Sequence, residues 1–146
     1  MTRFVIDART LIHLVSEPLK VHAAHRLVAP NAIRSQALTL LLEAVRRGQM
    51  TEKEALYLEE RMTEVKMRLL GDRVSRRTAW QIARKQGWAD LVEAEYVAVT
   101  RLQADAMVSV DTDTARRLKT LVPIEPLEAL SLPSGAATST QPDDDR

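Results

Sequence analysis

Two aspartates stand directly behind short hydrophobic runs: Asp7 after Phe4-Val5-Ile6, and Asp111 after Val108-Ser109-Val110. If the two runs are strands of one parallel sheet, both acids emerge at the same rim, although they lie over a hundred positions apart. Carboxylates gathered on one rim repel each other, and their pKa values rise unless a cation sits between them. An all-oxygen site without His or Cys ligands suits Mg2+ or Mn2+. A hard divalent ion held this way meets phosphate, polarises it and lowers the pKa of a bound water. Metal-dependent phosphodiester chemistry is therefore the first functional expectation. Taken singly, each Asp is better explained as a turn former or a helix N-cap; only the pair with a further acid nearby points to a site.

The surrounding pattern supplies the scaffold such a rim needs. Residues 4–6, 26–29, 65–70 and 106–110 read as strands, the third from its alternation of Val65, Met67 and Leu69 with Lys66 and Arg68. Residues 122–124 read as an edge strand, where Pro123 is tolerated. Helices are expected over residues 10–15, from an Asn31 N-cap to Gly48, from a Thr51/Glu54 capping box to about residue 64, and over 75–86, 91–102 and 114–118. Strands separated by helices predict parallel pairing with right-handed crossovers, an α/β fold in the form of a three-layer α/β/α sandwich. The expected organisation is one domain over residues 1–130 and a disordered tail over 131–146, rich in Ser, Thr, Ala, Pro and Asp.

Composition narrows the class. The 146 residues contain no cysteine, which excludes a disulfide-stapled secreted module and any thiolate metal site. No apolar run approaches the ~20 residues of a membrane span, and Asp7 follows the N-terminus too closely for a signal peptide. A soluble cytoplasmic protein is expected. The net charge is only +1, yet Arg61, Lys66, Arg68, Arg73, Arg76, Arg77, Arg84 and Lys85 fall in one stretch opposed by Glu64 and Asp72 alone. Such a stretch could track a phosphate backbone, although on charge alone a solvated helix surface accounts for it better.

Four segments, in order, resemble the signatures of PIN-domain ribonucleases: Phe4-Val5-Ile6-Asp7-Ala8, Leu27-Val28-Ala29-Pro30, Ala94-Glu95-Tyr96-Val97-Ala98-Val99 and Met107-Val108-Ser109-Val110-Asp111. The nearest subgroup is the VapC-type toxin of bacterial VapBC toxin–antitoxin systems, and the resemblance covers residues 3 to about 128. It implies an acid quartet around Mg2+ or Mn2+ that cleaves single-stranded RNA. It also implies a small cognate antitoxin whose tail fills the acidic groove, and a homodimer, placed here in the largely apolar helices between residues 31 and 64. Carried over residue by residue, Asp7 is the first acid, Glu93 the third and Asp111 the fourth, each a catalytic and metal-binding residue. The second position holds Gln36, which offers a neutral carbonyl and would orient a metal-bound water. Glu93 stands where the family usually has Asp, one methylene shorter.

Several residues stay open between function and structure. Asp90 could replace a missing carboxylate or cap the following helix; Asp113 could reach the metal through water or answer the helix dipole. Glu43 lies about 10 Å from Gln36 along the helix, too far to substitute, and suits an i,i+4 pair with Arg47. Arg9 and Arg34 are close enough to the rim to contact the RNA phosphate, or are free surface arginines. His22 and His25 have a metal-pair spacing but lack a third nitrogen ligand, so they are expected on the surface. Trp80 and Trp88 could stack bases, but core packing is the expectation for both, as for Tyr96. A haloacid-dehalogenase-like reading of Asp111-Thr112-Asp113-Thr114 fails because too little chain follows, and a receiver domain fails for want of paired acids. Two functions remain: a Mg/Mn-dependent endoribonuclease, and a catalytically weakened PIN fold that binds RNA or protein, suggested by Gln36.

Overall fold

The structure, a computed structural model, describes residues 1–17 and 19–133. The expected tail is therefore outside the described residues from 134 onward. Five parallel strands form one sheet in the order β3-β2-β1-β4-β5: β1 Thr2–Ile6, β2 His25–Pro30, β3 Arg68–Leu70, β4 Ala106–Val108 and β5 Ile124–Glu125. The helices are α1 Ala8–Ser16, α2 Ile33–Arg46, α3 Glu52–Thr63, α4 Arg73–Gln86, α5 Val92–Gln103 and α6 Thr112–Leu118. The chain runs outward from β1 through β2 to β3, then returns across the sheet to β4. Right-handed crossovers place the outward helices on one face and the returning ones on the other. In agreement, α1, α2 and α3 pack together, while α4 packs on α5 and α5 lies on β1 and β2. The three-layer α/β/α reading is correct.

The central strand carries the core. Val5 and Ile6 are fully buried, and Val5 is in register with Val28 on one side and Met107 on the other. A strand covered on both faces reads as a continuous apolar run, which is why residues 4–6 are so legible. The reversal of strand order falls between β1 and β4, and there the crevice of an open parallel sheet opens.

Local chemistry explains most boundaries. The Thr51/Glu54 capping box forms in both directions, Glu54 N–H to Thr51 Oγ1 at 3.1 Å and Thr51 N–H to Glu54 Oε1 at 2.9 Å. The α4 helix is capped by Asp72, which accepts from Ser75 N–H at 2.9 Å, and ends at Gly87 with φ +73°. Three expectations about element bounds need correction. Asn31 caps nothing: its N–H donates to the Leu70 carbonyl at 2.9 Å, tying β2 to β3, and α2 begins without a side-chain cap. Its side chain lies against Gly71, where a Cβ would stand 2.1 Å from Nδ2. The third strand is three residues, not six, and the fourth stops at Val108. There the next N–H groups turn to side chains, Val110 N–H to Thr10 Oγ1 at 3.1 Å and Asp111 N–H to Ser109 Oγ at 3.2 Å.

His25 is not on the surface. It is 5% exposed, its ring packs edge-on to Phe4, and Nε2 lies 2.5 Å from the Leu132 carbonyl oxygen. That contact, with the His22 N–H that donates to the Leu130 carbonyl at 2.8 Å, ties the 3-10 turn Leu127–Ser131, with buried Ala129 and Leu130, to the start of β2. Trp80 is not in the core but 61% exposed, whereas Trp88 packs partly against the core and Tyr96 is buried. Among the described residues no helix is long and apolar enough to cross a membrane.

Candidate active site

The first acid, Asp7, is the residue where β1 ends and α1 begins. One carboxylate oxygen accepts from Thr10 N–H at 3.0 Å and Thr10 Oγ1 at 2.6 Å, so Asp7 is also the helix N-cap. The other accepts from Ser109 Oγ at 2.7 Å. That serine also accepts the Asp111 N–H, so a single hydroxyl joins the two strand ends across the rim. Both readings of Asp7 hold at once: it caps a helix and it stands in the crevice. A carboxylate with two oxygens and about four lone-pair sites has capacity for both.

Asp111 caps α6. Partial desolvation pushes its carboxyl pKa up, but hydrogen bonds from the Thr114 hydroxyl and the N–H groups of Asp113 and Thr114, with the charge of Arg9, outweigh it. The net value lies below that of an ordinary aspartate. Arg9 Nε is 3.8 Å from Asp111 Oδ2.

Asp7, Gln36, Glu93 and Tyr96 line one cleft of about 270 Å3, together with Arg9. Asp111 faces an adjoining cleft of about 980 Å3, which Arg9 also lines. Arg9 thus lines both clefts, while Asp111 does not line the one that Asp7 and Glu93 share. Glu93, in the first turn of α5, accepts Arg117 Nε at 3.2 Å and is paired with Arg117 Nη2 as well. Across the cleft, the Tyr96 hydroxyl donates to Gln36 Oε1 at 2.5 Å, locking α5 to α2. Burial pushes the Tyr96 phenol far above its ordinary value, helped by the negative charges of Asp7 and Glu95, so it stays a donor.

The remaining expected residues lie elsewhere or serve structure. Asp90 accepts Val92 N–H at 3.0 Å and caps the start of α5, the structural alternative. Asp113 is exposed and pairs with Arg116 at 3.4 Å, pointing along α6 rather than into the cleft with Asp7. Arg34 is spent on backbone: its guanidinium donates to Val65 O at 2.8 Å and Met62 O at 3.4 Å, and it lines a different cleft, away from the acids. Residues missed from sequence are Arg117, Thr10, Ser109 and the polar end of Tyr96. Thr10 had a signal in Asp7-x-x-Thr10, the spacing of an N-cap turn; Arg117 had none.

In kind, the donors fit a hard cation: carboxylate and amide oxygens share the cleft, and neither His nor Cys lines it. In arrangement, no three His, Cys, Asp or Glu side chains among the described residues form a ready metal group. Asp111 lines a different cleft from Asp7 and Glu93, Arg117 holds Glu93, and Arg9 stands beside Asp111.

No protein-family model matches the sequence, and no curated protein matches it significantly. Solved structures do match the fold. One is PAE2754 from Pyrobaculum aerophilum, at a TM-score of 0.67 and 17% identity, covering 88% of this chain and 93% of that one. Another is VapBC-1 from nontypeable Haemophilus influenzae, at a TM-score of 0.52 and 15% identity, covering 82% of this chain and 94% of that one. The α/β/α fold expected from the sequence is the fold observed, and it is similar to that of both solved structures.

Proposed function

We propose that this chain is a Mg2+- or Mn2+-dependent endoribonuclease, the toxin of a type II toxin–antitoxin pair. The observation that supports it most is the Ser109 hydroxyl that couples Asp7 to the Asp111 backbone at the strand-order reversal of a VapC-like fold. Asp7, Glu93 and Asp111 would hold the ion, which would supply Lewis-acid polarisation of a phosphodiester. The chain's own residues prepare that chemistry. Thr10 and Ser109 fix the Asp7 carboxylate so that its remaining lone pairs face the cleft. Gln36 accepts the Tyr96 hydroxyl at its carbonyl oxygen, which leaves that oxygen one further lone pair for a water in the same cleft. Arg9, with its side chain 59% exposed between the two clefts, reaches an RNA phosphate without leaving Asp111. The test is cleavage of single-stranded RNA with Mn2+ by the wild type and Asp7→Asn. Loss in the variant is expected, and equal rates end the proposal.

The partners follow. A small cognate antitoxin with an arginine in its tail would compete with Arg117 and Arg9 for the same carboxylates. A homodimer would use α2 and α3, where Leu38, Leu42, Leu56 and Tyr57 are exposed. Leu42→Glu should then leave a monomer in sedimentation. The working place would be the cytoplasm, where RNA is met.

A second reading has its own support: Gln36 removes one charge and Arg117 cancels another, which fits a catalytically weakened PIN fold that binds RNA or protein. Calorimetric titration separates the two, since Mn2+ binding that is lost in Asp7→Asn belongs to the enzyme, and absence of binding to the module.

A further inference from the structure

The outer face of α4 carries a pattern the acidic rim does not use. Between Arg73 and Gln86 the helix has five basic residues (Arg73, Arg76, Arg77, Arg84 and Lys85) and no acid. All five are exposed, and among the described residues none forms an ion pair. In their midst stands Trp80, 61% exposed, with Arg76 and Arg77 one turn before it and Arg84 one turn after, the spacings that make side chains neighbours on a helix. The inner face, Ser75, Ala79, Ile82 and Ala83, already satisfies packing, so the indole is not needed to hold the helix down. An exposed tryptophan framed by guanidinium groups carries an aromatic plane and a field of one sign, a pairing that matches an unstacked base and its phosphates. Position agrees. Because α4 starts after the carboxyl end of β3, its first turn lies on the same edge of the sheet as Asp7, and the strip leads outward from there.

We infer that the α4 face around Trp80 is a binding site for single-stranded RNA, separate from the acidic rim, in which Trp80 stacks on a base while Arg77 and Arg84 hold the flanking phosphates. The choice of RNA over other polyanions rests on the function proposed above; the stacking and charge argument does not. Arg76 contributes less, since its guanidinium is turned back to the Gly71 carbonyl.

The test uses the full chain in metal-free buffer with a short fluorescently labelled oligouridine. In a Trp88→Phe background, where Trp80 is the sole indole, saturable quenching on titration is expected. With Trp88 intact, Trp80→Ala should weaken binding about tenfold and Trp80→Phe should recover part of it. Arg77→Ala should lower the slope of log affinity against log salt by about one. Unchanged affinity in Trp80→Ala, no binding by the wild type, or equal quenching by a duplex of the same length overturns the inference. So does a Trp80→Ala variant that changes self-association in sedimentation but not RNA affinity, which would make the face a protein interface. Cleavage is read separately with Mn2+. Quenching without any cleavage leaves this site standing and removes the enzymatic reading, while cleavage lost only in Asp7→Asn with no Trp80 response does the reverse.

Discussion

Arg117 lies across the carboxylate of Glu93, bonding one oxygen through Nε and the other through Nη2, from helices 24 positions apart in sequence. Nη2 also reaches Thr114 Oγ1 at 3.4 Å, and Thr114 bonds Asp111 Oδ2, so the guanidinium connects the third acid of the rim to the fourth. The charges of Glu93, Asp111 and Asp113 all act on it. A cation is thus already supplied from within, in the place where repulsion between carboxylates asks for one.

The competition is measurable. Arg117→Gln should tighten Mn2+ binding about tenfold in calorimetry on metal-free protein, a gain of about 1.4 kcal/mol. Because the pair is partly exposed, the same change should cost folding stability less than about 1 kcal/mol. Equal or weaker Mn2+ binding in the variant would show that the guanidinium does not oppose the ion.

Gln36→Glu restores a charge at the second acid position. The Tyr96 hydroxyl, kept protonated by burial, can donate to the new carboxylate as it does to the amide. Mn2+ affinity should rise, and RNA cleavage with it, over a titration from pH 6 to 8. A rise in affinity without a rise in cleavage would place the limitation at another rim residue.

Tyr96→Phe removes the bond between α5 and α2 while leaving the ring in place. The expected cost is about 1 kcal/mol, or about 2–4 °C in Tm for a domain of this size. Thermal melts followed by circular dichroism would read it, and a Tm equal to wild type would mean that water replaces the hydroxyl at no cost.

Acid stability should track two caps. Hydrogen bonds to Ser75 lower the Asp72 pKa, and those to Thr114 and Asp113 help lower that of Asp111 despite desolvation. A carboxyl whose pKa is lower folded than unfolded contributes stability that is complete above the unfolded value and lost as pH falls through the folded one. Asp72→Asn and Asp111→Asn should therefore lose less Tm than wild type between about pH 4 and pH 2. Parallel Tm curves for wild type and variants in that window would contradict the direction.

Sequence patterning reached the scaffold because the scaffold is made of local signals. Buried parallel strands are unbroken apolar runs, the Thr51/Glu54 box is read within four residues, and Asp7 and Asp111 follow their strands directly. What stayed hidden depends on partners far along the chain. Nothing near Arg117 announces Glu93, and nothing near His25 announces the Leu132 carbonyl that holds its ring inside. Trp80 misled for the opposite reason: tryptophan usually goes to the core, but here Ala79, Ile82 and Ala83 fill the buried stripe and leave the indole on the outer side. Asn31 resembled a cap because its type suits one, yet its side chain lies against Gly71 and makes no cap bond.

The bond from Ser109 to Asp7 spans 102 residues, and the strand that brings it there is the fourth of five. During synthesis β1 can find β2 early, but it waits for its other neighbour until the ribosome has released β4, Ala106–Val108. The crevice between them therefore has no existence in a short nascent chain. If the finished rim cuts RNA, a nascent chain cannot do so before β4 has left the ribosome.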